Sequence, residues 1–556
     1  VLEGYLGSLA DRVEAYDEEG ALPVYMINID QWFYEANKGR FWLTLLEDPM
    51  GYEMEFPAGF EEWEQAIRQA QDRLRTAVSN SRLLQAEARE YGEDWLRNRV
   101  RVQVNVTNPA DATFWTQDLI PWVGFPDALI RDHRKISFFD VDPRDPSRGR
   151  ALYTGMGVGE HYNGPTWDDR AILVKGPVLG GLREAAKDLL LQQGFEPDQI
   201  PYPLQAEGSY YGVGEASVSA IPESGSGLML QAHNWVGYGE KKATILKATL
   251  YCLAPSGTVV KAPDSLWNFP LWGSLLSGLA FRGGRVLIVA PSYDNAPAQA
   301  FGSLTLAQNV LGQVVRASQE LGSSIERSGG LLKVGMYNPQ FGVGDIPAKA
   351  RQVAASFREH PWLRDLHGFQ PEDVRGLEHL ADSLDQAGFR ARYLEGEALD
   401  APKLHMKAHY FATAKGWDPL MVRPEAHEYL TAYLRQRAHQ VTQKGQDRDL
   451  RELQDSLAPF ARALNQAWLR NTRAEERDGA AWFLLVGSHN QNSRSAVLDG
   501  EVVVAVAGPE AVMGLADFTL VLGLSEWMED PADLEPHFPP LSGVMKGIGH
   551  WARIIF

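Results

Sequence analysis

Three features of this sequence predict an α/β fold built of two similar halves. A strand, helix and strand pattern occurs twice, at 23–107 and again at 285–337. A His-x-Lys triplet stands in each half, at His133-Arg134-Lys135 and at His405-Met406-Lys407. The composition is that of a globular chain: 556 residues, 44% hydrophobic and 22% charged, with Gly 52 and Pro 32 showing no repeating period. Such a balance excludes collagen-like, coiled-coil and wholly disordered chains.

The first unit opens with an apolar strand at Pro23–Asp30 (PVYMINID). It continues through a charged helical region from Phe60 to about Leu96 and closes on a β-branched strand at Val100–Thr107 (VRVQVNVT). The second runs from a strand at Arg285–Pro291 (RVLIVAP) through a helix over Leu304–Leu321 to a strand at Leu331–Tyr337 (LLKVGMY). Strand, helix, strand is the pattern of right-handed crossovers, and its recurrence sets the halves at about 1–195 and 283–556. Between them, 196–282 contains a run rich in Gly, Ser and aromatics (YYGVGEASVSAIPESGSG) and reads as linker and cleft-lining loops. From Pro419 to about Asp478 charged sequence carries apolar residues at three- and four-residue spacing, the pattern of a solvated helical insertion.

Charge and cysteine content narrow the function. Lys+Arg 53 against Asp+Glu 72 leaves a net charge of −19, which repels a nucleic-acid backbone and disfavours such a partner. The single cysteine, Cys252, excludes an internal disulfide, a multi-cysteine zinc site and an iron–sulfur cluster. No run has the length and apolarity of a membrane span, so the chain is expected to be soluble. It opens at Val1 without Met, as a secreted or periplasmic protein does after losing a leader. Ser265–Phe281 (SLWNFPLWGSLLSGLAF) is apolar and uncharged. It is either an interfacial segment, with Trp267 and Trp272 at headgroup level for peripheral membrane contact, or an ordinary core run.

The local pattern richest in chemistry is His133 to Asp140, which fits HxKxxxxD. Strand alternation would put His133, Lys135 and Ser137 on one face, where a phosphate could meet imidazole and ammonium together. The HxK core recurs 272 residues later at His405 and Lys407, and Gly487-Ser488-His489-Asn490 follows the strand Trp482–Val486. These residues resemble the phospholipase D superfamily, whose pattern runs HxKxxxxD, then GSxN, then an acidic residue near the next strand. Asp499-Gly500-Glu501 follows in that order. In the first half, Gly155-Met156-Gly157 stands at the family's glycine turn, and Trp167-Asp168-Asp169 with the following Ile172–Pro177 looks like its W-x-D strand ending in Gly-Pro. The sequence departs from the pattern at Ala412, where the second motif's Asp belongs, and at Gly159-Glu160, where an Asn is expected. The 419–478 insertion also separates His405 from GSxN more widely than usual.

The resemblance implies two halves, each a mixed sheet flanked by helices, with one active site between them, and a phosphodiesterase that needs no metal or cofactor. In that mechanism His133 attacks phosphorus to form a phosphohistidine, and His405 protonates the leaving alcohol and then activates water. Lys135, Lys407, Ser488 and Asn490 donate hydrogen bonds to the non-bridging oxygens. Asp169 and Glu501 orient the histidines, one for each half, with Asp168 the bland neighbour. Asp140 braces the motif strand. His409 shares a strand face with His405 and Lys407 and reads as a cleft neighbour or core residue rather than a zinc ligand. The expected substrate is a phospholipid or another phosphodiester, taken by a monomer. A nuclease of the same superfamily is the second enzyme reading, and Ala412 and Glu160 leave room for a catalytically silent binding protein.

Overall fold

The computed structural model describes residues 2–19, 26–29, 61–92, 102–105, 133–139, 149–156, 167–175, 214–218, 227–235, 240–294, 301–342, 344–366, 371–393, 401–412, 482–507 and 515–540, with a few single positions between 179 and 197. The 419–478 insertion, Asp140 and Gly159-Glu160 lie outside them.

The chain is mixed α/β. Strands β1 (Met26–Ile29), β2 (Val102–Asn105), β3 (Ile136–Phe139), β4 (Arg150–Thr154), β5 (Trp167–Asp168), β6 (Ala171–Lys175), β7 (Gly214–Val218) and β8 (Gly227–Asn234) come first. They are followed by β9 (Val259–Pro263), β10 (Arg285–Pro291), β11 (Leu331–Tyr337), β12 (Lys403–Leu404), β13 (His409–Ala412), β14 (Trp482–Gly487), β15 (Glu501–Ala507) and β16 (Ser525–Met528). Fourteen of them form one sheet in the order β16-β11-β10-β9-β13-β14-β15-β8-β7-β6-β4-β3-β1-β2, and β12 pairs with β5 alone. Read outward from β7 and β8, the two wings have the same succession. On one side β6, β4, β3 and β1 are antiparallel neighbours and β2 lies parallel to β1. On the other, β15, β14, β13 and β9 are antiparallel and β10 lies parallel to β9. Each His-x-Lys triplet therefore enters the strand beside the innermost parallel pair of its wing.

Local chemistry sets the elements. The helical region expected over 60–96 is two helices, α1 having preceded them at Leu2–Glu19: α2 (Glu61–Asn80) and α3 (Arg82–Tyr91). The break falls at Ser81, whose hydroxyl caps α3 by accepting from Leu84 N at 3.3 Å. Asp17 of α1 seals it, accepting from Ser81 Oγ and from the backbone of Arg82 and Leu83. These hydrogen bonds hold the Asp17 carboxyl down at about 2.

Strands β9 and β10 are buried along their length, so their residues alternate between two cores rather than between core and water. Val259, Leu287 and Val289 join Ile136, Phe138, Tyr153 and Val486 on one face of the sheet. Val260, Ala262, Val286 and Ile288 join Trp267, Trp272 and Leu276 on the other. The first core draws from both wings.

Much of 196–282 corrects the linker reading. It holds β7, β8, β9 and two helices, α4 (Lys242–Leu253) and α5 (Pro270–Phe281). Pro270 starts α5, as its fixed φ allows at a first turn. Each packs one face on the core, Ala243, Lys247 and Tyr251 in α4 and Trp272, Leu276 and Leu279 in α5, while apolar side chains also stand on the open face (Ile245, Leu253, Leu271, Phe281), which blurs the helical periodicity. Trp267 and Trp272 are fully buried in that core, and the Trp267 indole N–H donates to Val289 O at 3.0 Å. Neither ring is available as a headgroup anchor. Of the same segment, Leu276 and Leu279 are buried with them, while Leu271 and Phe281 stay exposed. No helix among the described residues is long and apolar enough to cross a membrane.

Candidate active site

The first triplet is not in the ladder but in extended chain leading into β3, where His133, Arg134, Lys135 and Ser137 are all buried. Its anchor comes from the far wing: His133 N donates to Gly500 O at 2.8 Å. The second triplet lies between β12 and β13 and is anchored in the reverse sense, His405 N donating to Asp168 O at 2.9 Å. Each lysine folds back on its own histidine, Lys135 Nζ donating to His133 O at 2.9 Å and Lys407 Nζ to His405 O at 2.8 Å.

The side chains cross as the backbones do. His133 Nδ1 lies 3.1 Å from Glu501 Oε1 and 3.3 Å from Oε2, and the glutamate is wholly buried. His405 Nδ1 lies 2.6 Å from Asp169 Oδ2. Each histidine thus takes its carboxylate from the other wing, and Trp167 stands edge-on to the His405 ring with centroids 4.5 Å apart. The structure brings Asp169 to His405. Asp168 points elsewhere, accepting from Arg170 Nη1 at 2.5 Å and Tyr337 OH at 3.0 Å.

Ser488 takes a different part from the one its motif suggests. Its hydroxyl accepts from Val502 N at 3.1 Å and donates to Glu501 Oε2, so in this arrangement its proton goes to the carboxylate. Ser495, on a short helix at Ser493–Val497, donates to Glu501 Oε1. When Glu501 is ionised, both of its oxygens accept from serines and the His133 Nδ1 proton is its third donor. Asn490 fits its expected part better: Ser265 Oγ donates to its carbonyl at 2.6 Å, which leaves the amide NH2 as its donor end. Sequence reading gives Ser265 no part in the site, and it marks Arg494-Ser495 and Trp167 only as positions in the resembled pattern; their contacts with Glu501 and His405 come from the fold.

Burial governs the electrostatics. It pushes the Glu501 carboxyl up to about 8, with Asp499 adding like-charge repulsion, against the hydrogen bonds of the two serines and the Lys135 ammonium. Burial, then Lys407, holds His405 down at about 4 despite Asp169, with Lys135 acting in the same direction. Lys407 is lowered to about 8, again by burial first, with Asp169 opposing and Lys135 assisting. Lys135 of one wing therefore acts on both His405 and Lys407 of the other. The two triplets form one site with two buried ammonium groups and two imidazoles. Among the described residues no group of three His, Cys, Asp or Glu could hold a metal ion.

Two glycines are required by close approach. A Cβ on Gly487 would stand 2.1 Å from Val502 O, and one on Gly155 would stand 2.7 and 2.8 Å from the two Asp169 carboxylate oxygens. Gly155→Ala is expected to displace Asp169 from His405, with an overpacking cost of about 1–3 kcal/mol. Chemical denaturation checks this, and a variant of parental stability would show that Asp169 has room to move.

No family model matches the chain, and no curated protein matches it. Among solved structures it is similar to the phosphatidylserine synthase of Haemophilus influenzae Rd KW20. That likeness covers 99% of this chain and 92% of the other, at 11% identity and a TM-score of 0.42.

Proposed function

We propose that the chain is a phosphodiesterase of the phospholipase D type, acting on phospholipid phosphodiesters through a phosphohistidine. One observation carries this reading: two histidines, each held at Nδ1 by a buried carboxylate of the opposite wing, share one site with two buried lysines. A carboxylate at Nδ1 fixes the imidazole tautomer and directs its chemistry to Nε2. His133 Nε2 attacks phosphorus, the N–P bond forms and the P–O bond to the alcohol breaks. His405 gives its proton to the departing oxygen. Water then attacks the phosphohistidine, its proton passes to His405, and the His133–phosphorus bond breaks.

Held low by burial and two lysines, His405 is neutral in the empty site. The phosphodiester anion neutralises those ammonium charges, and His405 can then take up the proton it must donate. Lys135, Lys407 and the Asn490 amide balance the charge on the non-bridging oxygens.

Phosphatidylcholine vesicles, single-stranded DNA and bis(4-nitrophenyl) phosphate, assayed side by side, test the reading. Release of choline is the expected result. Cleavage of DNA alone would make it a nuclease, and no turnover of any diester would sink the proposal. His405→Ala should depress choline release by about 10²–10⁴-fold while sparing nitrophenol release, because a leaving group of low pKa needs little protonation. Equal losses on both would argue against general-acid duty.

A further inference from the structure

The second triplet lacks an acid seven residues after its histidine, where Ala412 stands buried in β13. A carboxylate is nevertheless nearby. Asp264 directly follows β9, is fully buried, and forms an isolated antiparallel bridge with Lys407. We propose that Asp264, oriented by His409 and Tyr251, is a positioning residue of the second triplet: it fastens the 488–493 loop beside Lys407 and supplies the negative charge that position 412 does not. The inference rests on the phosphodiesterase reading for its catalytic consequence.

The fastening is explicit. Asp264 Oδ1 accepts from Gln491 N at 3.1 Å and from Leu266 N at 3.2 Å. The residues after it continue the clamp: Ser265 bonds to Asn490, and the Asn268 and Phe269 amides donate to Gln491 O at 3.3 Å. Asn268 Oδ1 in turn accepts from Ser493 N at 3.0 Å. The uncharged 265–269 segment thus holds the loop that carries Asn490.

Proton counting orients the other carboxylate oxygen. Gln491 Nε2 donates to Tyr251 OH at 2.8 Å, so the tyrosine's own hydrogen goes to His409 Nδ1. His409 Nδ1 is then an acceptor, and the neutral ring carries its proton on Nε2. That nitrogen faces Asp264 Oδ2 at 3.5 Å, and neither atom has a closer hydrogen-bond partner. Burial and the Lys247 ammonium hold His409 down at about 4, which keeps the ring neutral.

The charges acting on Lys407 are Asp169, Asp264 and Glu501, which favour the ammonium, and Lys135, which opposes it; His405 is its immediate neighbour. Lys407 loses its proton near 8. Removing the Asp264 charge takes away a stabiliser of the ammonium, so the lysine becomes neutral at lower pH.

Asp264→Asn, which keeps Oδ1 as an acceptor, tests this with inorganic sulfate as the probe, since sulfate keeps its charge from pH 6 to 10. Calorimetry on the parent should show sulfate affinity falling above about pH 8. In the variant the fall should begin about 0.5–1 pH unit lower, with the alkaline limb of turnover moving alike. A folded variant with an unmoved sulfate profile overturns the proposal. Nitrogen-15 spectra of the unaltered protein decide independently of any variant: His409 should stay a neutral Nε2–H tautomer down to pH 5. An Nδ1–H tautomer, or titration near 6.5, would refute the orienting chain. If sulfate binds and no diester is turned over, the phosphodiesterase reading fails while the sulfate profile and the His409 spectrum still judge Asp264.

Discussion

Replacing His133 with alanine should lower turnover by about 10⁴-fold or more on every diester, activated or not, because the proposed covalent bond is lost with its imidazole. The proposed choice of His133 over His405 rests on its acceptor: its Nδ1 is held by a glutamate that itself accepts from two serines, whereas the backbone ties of the two histidines, to Gly500 and to Asp168, are alike. With His405→Ala and a nitrophenyl diester, the phosphohistidine should accumulate, since the water-activating base is gone. Acid-labile phosphate on a peptide containing residue 133 is the measurement. Label on residue 405 in the reciprocal variant would exchange the two roles, and an active His133→Ala would remove the covalent route.

The largest expected effect on stability lies away from the chemistry. Trp267→Ala and Trp272→Ala should each cost about 3–5 kcal/mol, because both indoles are fully buried. Trp267 stacks over His409 at 6.2 Å and Trp272 stands edge-on to His489 at 5.8 Å, so truncation also loosens the polar groups behind the site. Urea denaturation should show a lower midpoint for each, and activity on soluble and vesicle substrates should fall together. A double variant with parental stability and selective loss of vesicle binding would restore the interfacial role.

Those indoles show where sequence reading stops. The uncharged, Trp-rich run was visible, but the same composition suits a core and a lipid surface, and only the β9–β10 sheet beneath it decides. The histidines, lysines and the GSxN loop were legible because each sits in a short motif with fixed spacing. The acids were legible as candidates, yet their crossing was not, since His133 and Glu501 are 368 residues apart and His405 and Asp169 are 236 apart. Ser488 matches its motif, and its hydroxyl proton points to the Glu501 carboxylate. No pattern marks that contact, because it depends on where one hydroxyl proton goes. Asp264 sits at the end of VVKAPD with no signature at all; its meaning comes from the bridge to Lys407. In 196–282 the helices leave little periodic signal because their exposed faces also carry apolar side chains, among them Ile245, Leu253, Leu271 and Phe281.

The crossed pairing also sets an order in time. Synthesis runs from the amino end, and a chain that has reached the 300s already carries His133 and Lys135 but no Glu501. Its histidine has no acceptor at Nδ1, and its Asp169 has no imidazole to hold. Contacts spanning hundreds of residues are among the last to form, so the crossed pairs are completed only when β15 docks on β8. An amino-terminal fragment that stops before His405 therefore carries His133 without its Glu501 acceptor and Asp169 without its imidazole.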